Sequence, residues 1–457
     1  MSWPAGWSHS NDAEHMAQPT TRLRPIETVT PVWSAPTHVS LLVQPPAPPA
    51  PAALPAVLEA RPRCTADDAL ALFAKHWDAA PATVAALPSY DDQNWLLTLA
   101  SKKLVLKIAA AGAECRGGAT EAETLAYLRC EHAMMAAVAA AGVGCPRAVP
   151  SKTGDAVVAF SSRGVACLAR VVTFVPGTPL SELRKEPPTG LAEALGAAAA
   201  KIDGALAKLP PRADGGDAET RDLAWDLGNA SRLGRPYLPE LTDATLRKRV
   251  EAALDAFDAL TASPAFKTLP RQLIHGDIND ENVHCEFDAV RDRAWAVAVL
   301  DFGDFARTCR VFELAILLAY ALFDGGGDAV DGEAAVLDRA ARLVGAYHAA
   351  TPLAEAEVAA LPVLVATRNA QTVLNSAHAY AANPDPYVLV SAQPATRLLG
   401  QFAKLGDGAI VLALKRACGF GAKAAAPAPP AAHVDAPKKH KDKDADAQDM
   451  CAGCCLL

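Results

Sequence analysis

The sequence predicts an α+β chain of two lobes, a small N-terminal β-sheet lobe over residues 64–175 and a larger, mainly helical lobe over residues 176–420. Two observations carry this expectation. Short apolar, β-prone runs recur between residues 95 and 174, whereas Ala-rich segments with apolar residues at helical spacing occupy most of the chain after residue 190. Between the two regions stands Pro176-Gly177, a dipeptide that ends a strand.

Residues 1–63 hold 12 of the 35 prolines and show no sustained period, so they read as a disordered or extended leader. A transit peptide is the alternative, opposed by the acidic Asp12, Glu14 and Glu27. Thr65, Asp67 and Asp68 ahead of Ala69, Leu72, Phe73 and Trp77 predict a capped amphipathic helix. Residues 89–94 form a polar turn into a strand over 95–99, and Leu104-Val105-Leu106-Lys107-Ile108 is its partner across Ser101-Lys102-Lys103. A hairpin tip this small and polar can lie over phosphates, with Lys107 as a point charge. Neither GxGxxG nor GxxxxGK[ST] occurs there to strengthen that reading. From Glu131 the apolar residues Met134, Met135 and Val138 follow helical spacing until Gly142 and Pro146. Residues 156–160 and 166–174 are two further strands.

In the second lobe, helices are expected over residues 191–208, 243–262, 333–349, 354–381 and 394–415, with a buried one at Val311–Leu318. Glu313 inside the last needs a partner, because an unpaired buried carboxylate is costly. The polar residues that matter most lie between these helices. His275-Gly276-Asp277 is followed by Asn282, five residues past Asp277, and by Asp301-Phe302-Gly303-Asp304, nineteen past Asn282. Leu273-Ile274 and residues 296–300 precede the two clusters as short apolar strands, and a hairpin of these two would bring both loops to one edge. Asn282 and Asp301 then offer a neutral and an anionic oxygen to Mg²⁺, which completes its shell with water and phosphate. Asp277 is left to accept a proton from a hydroxyl nucleophile. Phosphoryl transfer needs these parts. The plainer alternative makes each of them a turn or cap residue. Trp225, between Asp222 and Asp226, offers a ring face and carboxylates to a cationic acceptor, or else packs in the core.

A net charge of −8 argues against nucleic acid as a partner. No run of about 18 apolar residues predicts a membrane span. Eleven cysteines without a compact spacing suit a reducing, cytoplasmic location, most of them as small buried hydrophobes. Residues 421–457 read as a disordered tail. It ends Cys454-Cys455-Leu456-Leu457, a C-a-a-X pattern for which prenylation of Cys454 is expected, and a membrane would be a partner only through that lipid. The nearby basic cluster is diluted by five aspartates over residues 435–449.

HGDxxxxN followed by a DFGD-type segment resembles the aminoglycoside phosphotransferase and choline kinase family of small-molecule kinases. The resemblance covers roughly residues 65–418 and implies a two-lobed protein-kinase-like fold, an ATP or GTP donor and Mg²⁺. Carried onto this chain, it makes Asp277 the base, His275 the brace of its loop, and Asn282 and Asp301 the metal ligands. Lys107 would hold donor phosphates, oriented by Glu131, for which Glu121, Glu123 or a plain exposed helix charge are the alternatives, with Asn94 and the backbone at Thr173 and Val175 completing the nucleotide site. Tyr90-Asp91-Asp92-Gln93-Asn94, Ile278-Asn279-Asp280-Glu281, residues 311–315 and 389–392 carry a narrower likeness within the family. That likeness implies a small hydroxylated amino acid or amino alcohol as substrate, 5-hydroxy-L-lysine first, with homoserine, choline and ethanolamine as alternatives. From charge rather than likeness, Asp222 and Asp226 are expected to meet its amines and Arg368 its carboxylate, with Trp225 and Asp304 as further substrate residues. A membrane-tethered nucleotide-binding regulator without turnover is the competing reading, opposed by the intact Asp277, Asn282 and Asp301.

Overall fold

In a computed structural model, the structure describes residues 62–77, 83–87, 89, 92–111, 120–184, 187–211, 223–288, 294–324, 332–384 and 386–421. The proline-rich leader, the tail with Cys454, and the residues Tyr90, Asp91 and Asp222 lie outside the described residues.

Helix α1 (Ala66–His76) begins where the sequence signals it, with Thr65 and Asp68 forming a reciprocal capping box. Its buried Ala69, Leu72 and Phe73 lie in one apolar cluster with Leu97, Leu106 and Ile108 of the sheet. The sheet itself is antiparallel. Strands β1 (Thr83–Leu87), β2 (Gln93–Thr98) and β3 (Lys103–Ala110) follow one another as a meander. Strand β1 carries no alternation and buries none of its residues fully, so it is an edge that periodicity alone does not signal. Helix α2 (Glu121–Ala140) starts ten residues before Glu131, because Thr120 and Glu123 form a second capping box. It is followed by β4 (Ala148–Val149), β5 (Val158–Ser162) and β6 (Val165–Thr173). Strand β6 lies beside β3 and carries β4 and β5 on its other side. Pro176-Gly177 ends this sheet as expected, and β7 (Thr178–Pro179) already pairs with a strand of the second lobe.

The second lobe is mainly helical. Helices α3 (Leu191–Leu206) and α4 (Ala244–Ala262) precede four short strands, β8 (Arg271–Ile274), β9 (Val283–Asp288), β10 (Ala294–Val299) and β11 (Ala306–Cys309). The strands before the two polar clusters do not pair with each other, contrary to expectation. Strand β10 folds back on β9, because a partner nearer in the chain closes a smaller loop, and β8 is left to pair with β11 farther along. The two polar loops meet regardless. Pairing of Val283 with Val299 sets Asn282 beside Leu300, whose N–H donates to the Asn282 carbonyl at 2.8 Å, and pairing of Ile274 with Ala306 sets His275 beside Phe305.

Helices α5 (Val311–Ala321), α6 (Glu333–Ala350), α7 (Glu355–Ala382), α8 (Ala392–Leu405) and α9 (Asp407–Ala417) complete the lobe. The helix expected over 394–415 is two, broken at Gly406, whose φ of 74° is a conformation glycine adopts at no steric cost. Helix α5 is buried all round, and the 28-residue α7 crosses the core with Thr367, Arg368, Asn369, Gln371 and Thr372 buried among its apolar residues. Six described cysteines are buried, as small core residues would be. Among the described residues no helix is long and apolar enough to cross a membrane.

Candidate active site

The site grows out of the turn after β8. His275 is completely buried. Its Nδ1 accepts from the Asp277 N–H at 3.2 Å, so the proton sits on Nε2, which donates to the Leu300 carbonyl at 3.0 Å. Burial pushes the imidazole down to about 4, keeping it neutral and in that tautomer. His275 thus ties the turn after β8 to the residue before Asp301. From below, the buried Glu313 of α5 accepts the backbone N–H groups of His275 and Gly276. This is the partner that a carboxylate in an apolar helix required. Burial raises Glu313 well above the ordinary carboxylate range.

Gly276 makes the turn possible. Its φ is 83°, and a Cβ there would stand 2.3 Å from the Asp304 carbonyl oxygen. Gly276→Ala is therefore expected to cost on the order of 2 kcal/mol or more, from strain and collision together, and to push the Asp277 loop away from residues 301–304. Urea unfolding of the purified variant checks this, and parent stability would count against it.

Asp277 emerges from the turn with both oxygens occupied. Its Oδ1 accepts from Arg368 Nη2 at 3.0 Å, and its Oδ2 from Asn279 Nδ2 at 2.9 Å and Asn282 Nδ2 at 2.8 Å. The side chain remains 18% exposed, enough for a hydroxyl to approach. Burial raises its pKa, and the Arg368 guanidinium works against that rise. The Asn282 amide also donates to the Asp277 backbone carbonyl at 3.0 Å, which spends its nitrogen and leaves its carbonyl oxygen as the atom to offer a cation.

Asp301 has a left-handed backbone, with φ of 52°, at the point where β10 gives way to a 3₁₀ turn over Phe302–Asp304. Its half-exposed carboxylate accepts from Lys107 Nζ at 3.3 Å across the two lobes, and the ammonium lowers its pKa. The Asp301 carboxylate therefore already holds one cation. With the Asn282 carbonyl it fits a hard divalent ion, which needs only one or two protein oxygens when phosphates supply others. Among the described residues no group of three or more His, Cys, Asp and Glu side chains is placed to hold a metal ion.

Lys107 and Glu131 do not pair. Glu131, 2% exposed, accepts from Arg170 Nη2 at 2.7 Å, and Lys107 turns to Asp301 instead. Asn94, Lys107 and Arg170 stand directly opposite one another across β2, β3 and β6, and so share a face of the sheet. Arg170 was missed in the sequence. Its signal is a lone arginine inside the apolar strand Leu168-Ala169-Arg170-Val171-Val172. Thr173 ends that strand, its hydroxyl accepting from the Arg147 N–H at 3.0 Å, and Val175 follows half-buried at the junction of the lobes.

Trp225, Asp226 and Arg368 come together, though not as charge alone suggests. Arg368 is wholly buried between the rings of Trp225 and Tyr320, at 5.1 and 5.5 Å from their centres. Its Nη1 donates to the Trp225 carbonyl at 2.6 Å and to Gln371 Oε1 at 3.1 Å. Gln371 and Asn375, one and two turns along α7, both donate to the Ala224 carbonyl, at 2.8 and 3.1 Å. The turn at 224–226 is thereby fastened to α7. Arg368, expected to meet an acceptor carboxylate, is spent on Asp277 and on this turn. Asp226 caps the following 3₁₀ turn through Gly228 N–H, and burial raises its pKa. Asp304 sits at the end of the 301–304 segment, above Gly276.

The profile of the Phosphotransferase enzyme family matches residues 83–353. A hydroxylysine kinase of Xenopus laevis is 24% identical over 366 residues, 77% of this chain and 92% of the relative, and one of Bos taurus is 28% identical over 346 residues, 71% and 85%. A homoserine kinase of Gluconacetobacter diazotrophicus is 31% identical over 235 residues, 49% of this chain and 61% of the relative. Among solved structures, the amicoumacin kinase hAmiN, in complex with AMP-PNP, Ca²⁺ and Ami, superposes with a TM-score of 0.52 at 17% identity, covering 75% of this chain and 93% of its own. That likeness establishes the two-lobed kinase-like architecture.

Proposed function

Because the chain belongs to the Phosphotransferase enzyme family and is a phosphotransferase acting on a hydroxyl group, we propose that its reaction moves the terminal phosphoryl of GTP or ATP to the side-chain hydroxyl of 5-hydroxy-L-lysine. The observation that carries the reading is the grouping of Asp277, Asn282 and Asp301 where two loops meet, inside a match to hydroxylysine kinases that spans 71 to 77% of the chain.

Asp277 accepts the proton of the acceptor hydroxyl as the oxygen attacks phosphorus. Its own orientation comes from Arg368, Asn279 and Asn282, so the base is set before the acceptor arrives. The Asn282 carbonyl and Asp301 would hold Mg²⁺, which neutralises the charge on the donor phosphates. The amicoumacin kinase complex, with its nucleotide analogue and Ca²⁺, supports a nucleotide donor and a divalent cation here. Lys107 faces the same phosphates. Asn94, Thr173 and Val175 line the donor side, with Glu131 behind Lys107. Trp225, Asp226 and Asp304 border the acceptor side, where two carboxylates and a ring suit the amines of hydroxylysine.

Homoserine is the second reading, favoured by the 31% identity of the homoserine kinase, although that match covers only about half of this chain. The test is nucleoside diphosphate release by the full chain with Mg²⁺, with GTP and ATP each offered against hydroxylysine, homoserine, choline and ethanolamine. Release dependent on hydroxylysine is expected. Turnover with homoserine alone would sink the acceptor assignment and leave the kinase reading standing.

A further inference from the structure

Arg170, Glu131 and Asp92 form a charged group inside the sheet lobe with 3%, 2% and 8% of their side chains exposed. Arg170 Nη2 reaches Glu131 Oε2 at 2.7 Å and Asp92 Oδ2 at 3.7 Å. The group is incompletely bonded. Glu131 Oε1, Arg170 Nε and Nη1, and Asn94 Oδ1 are all buried without a hydrogen-bond partner. Buried polar atoms left in this state cost stability, and an ion pair so arranged is a poor way to hold a lobe together. Their positions suggest another use. Arg170 stands directly opposite Lys107 in the register of β3 with β6, and Lys107 is directly opposite Asn94. Side chains so paired are neighbours on one face, about 5 Å apart at their Cβ atoms. Glu131, with its orphaned oxygen, is thus held by the arginine that stands directly across from the lysine whose ammonium lies 3.3 Å from Asp301.

Building on the kinase reading above, we propose that Arg170 is a positioning residue for the phosphoryl donor: it fixes one oxygen of Glu131 so that the other receives Lys107 when a divalent cation takes Asp301. In the absence of the cation, Lys107 neutralises Asp301 and Glu131 keeps only Arg170. With a cation on Asp301 the ammonium would be repelled from it, and Glu131 Oε1, buried without a donor, is the oxygen offered to receive it. The lysine is then held from behind with its remaining N–H groups toward the phosphates. Lysine and arginine divide the work by their chemistry, the planar guanidinium fixing a carboxylate while the compact ammonium moves between two.

The test uses the full chain, as parent, Arg170→Met, Glu131→Gln and the double variant. Calorimetry with GTP or ATP and Mg²⁺, without acceptor, gives donor affinity, thermal melting gives stability, and steady-state kinetics gives the acceptor KM. Arg170→Met is expected to melt earlier and to weaken donor binding at least about tenfold, with the acceptor KM within about twofold of parent. The double variant removes the charges of Arg170 and Glu131 and leaves Asp92, so it is expected to regain part of the lost melting temperature but not donor affinity. Recovery of both would make Arg170 merely structural and overturn the proposal, as would parent-like donor affinity in Arg170→Met. Donor binding without hydroxylysine turnover in the parent would overturn only the acceptor assignment. A parent chain that binds neither nucleotide would overturn the donor role together with the kinase reading.

Discussion

Asp277→Asn is expected to lower kcat by about 10²- to 10⁴-fold, the usual contribution of a positioned general base. The substitution is nearly isosteric, yet the surroundings of Asp277 distinguish the two side chains sharply. Three donors converge on the carboxylate, Arg368 on Oδ1 and the amides of Asn279 and Asn282 on Oδ2. An asparagine can turn its oxygen toward one side only, which sets its NH₂ against a donor on the other. One contact is lost and replaced by repulsion, at a cost of about 1–3 kcal/mol. Melting and kinetics must therefore be read together. The expected result is a modestly less stable protein that still binds nucleotide and Mg²⁺, with a drop in turnover far larger than the stability loss accounts for. Near-parent turnover in a folded variant would remove Asp277 from the role of base.

What was legible in the sequence divides along physical lines. The lobes follow from patterning, and patterning is local. Capping at Thr65, the strand at β3 and the apolar helix α5 all rest on residues within a turn or two of one another. That each polar cluster follows a strand end was legible for a similar reason, since ordered Asp, Gly and Asn residues after short apolar runs mark such ends, whereas the meeting of the two loops was expected from a hairpin that does not form. Pairing was not local. The strand at residues 296–300 was expected beside Leu273-Ile274, but β10 found β9, a partner only a short loop away. The partner that Glu131 holds in this structure was not legible, on the same ground. Whether Glu131 meets Lys107 or Arg170 depends on the register of β3 against β6, residues 63 apart by number (170 − 107), and no periodicity in either strand encodes it. Gly406, by contrast, was readable as a helix stop, and only the apolar spacing on both sides of it suggested a single helix.

Arg368 shows most clearly what charge without geometry leaves open, and its replacement carries the second large effect. A guanidinium late in the chain suits the carboxylate of an amino-acid acceptor. In the structure, however, it is sealed between Trp225 and Tyr320 and bound to Asp277, with no exposed surface to offer an acceptor carboxylate. Arg368→Met removes the cation that opposes the effect of burial on Asp277. The sign follows directly. Burial already raises the pKa of Asp277, the loss of Arg368 raises it further, and a base works only when ionised. The acid limb of the kcat/KM profile is therefore expected to move to higher pH, by one unit for each 1.36 kcal/mol of attraction removed. Stability is expected to move in the opposite sense. A carboxyl whose folded pKa lies above its unfolded value binds more protons in the native state, so between those two values the variant should lose stability as pH rises. The uncompensated buried charge is expected to cost about 3–5 kcal/mol at neutral pH. Arg368→Lys, which keeps the charge but not the fork that joins Asp277 to the 224–226 turn, should recover much of the pH profile and less of the stability. If Arg368 instead served the acceptor, both variants would raise the acceptor KM and leave the acid limb where it stands in the parent. A pH titration of kcat/KM for the three proteins decides between these outcomes.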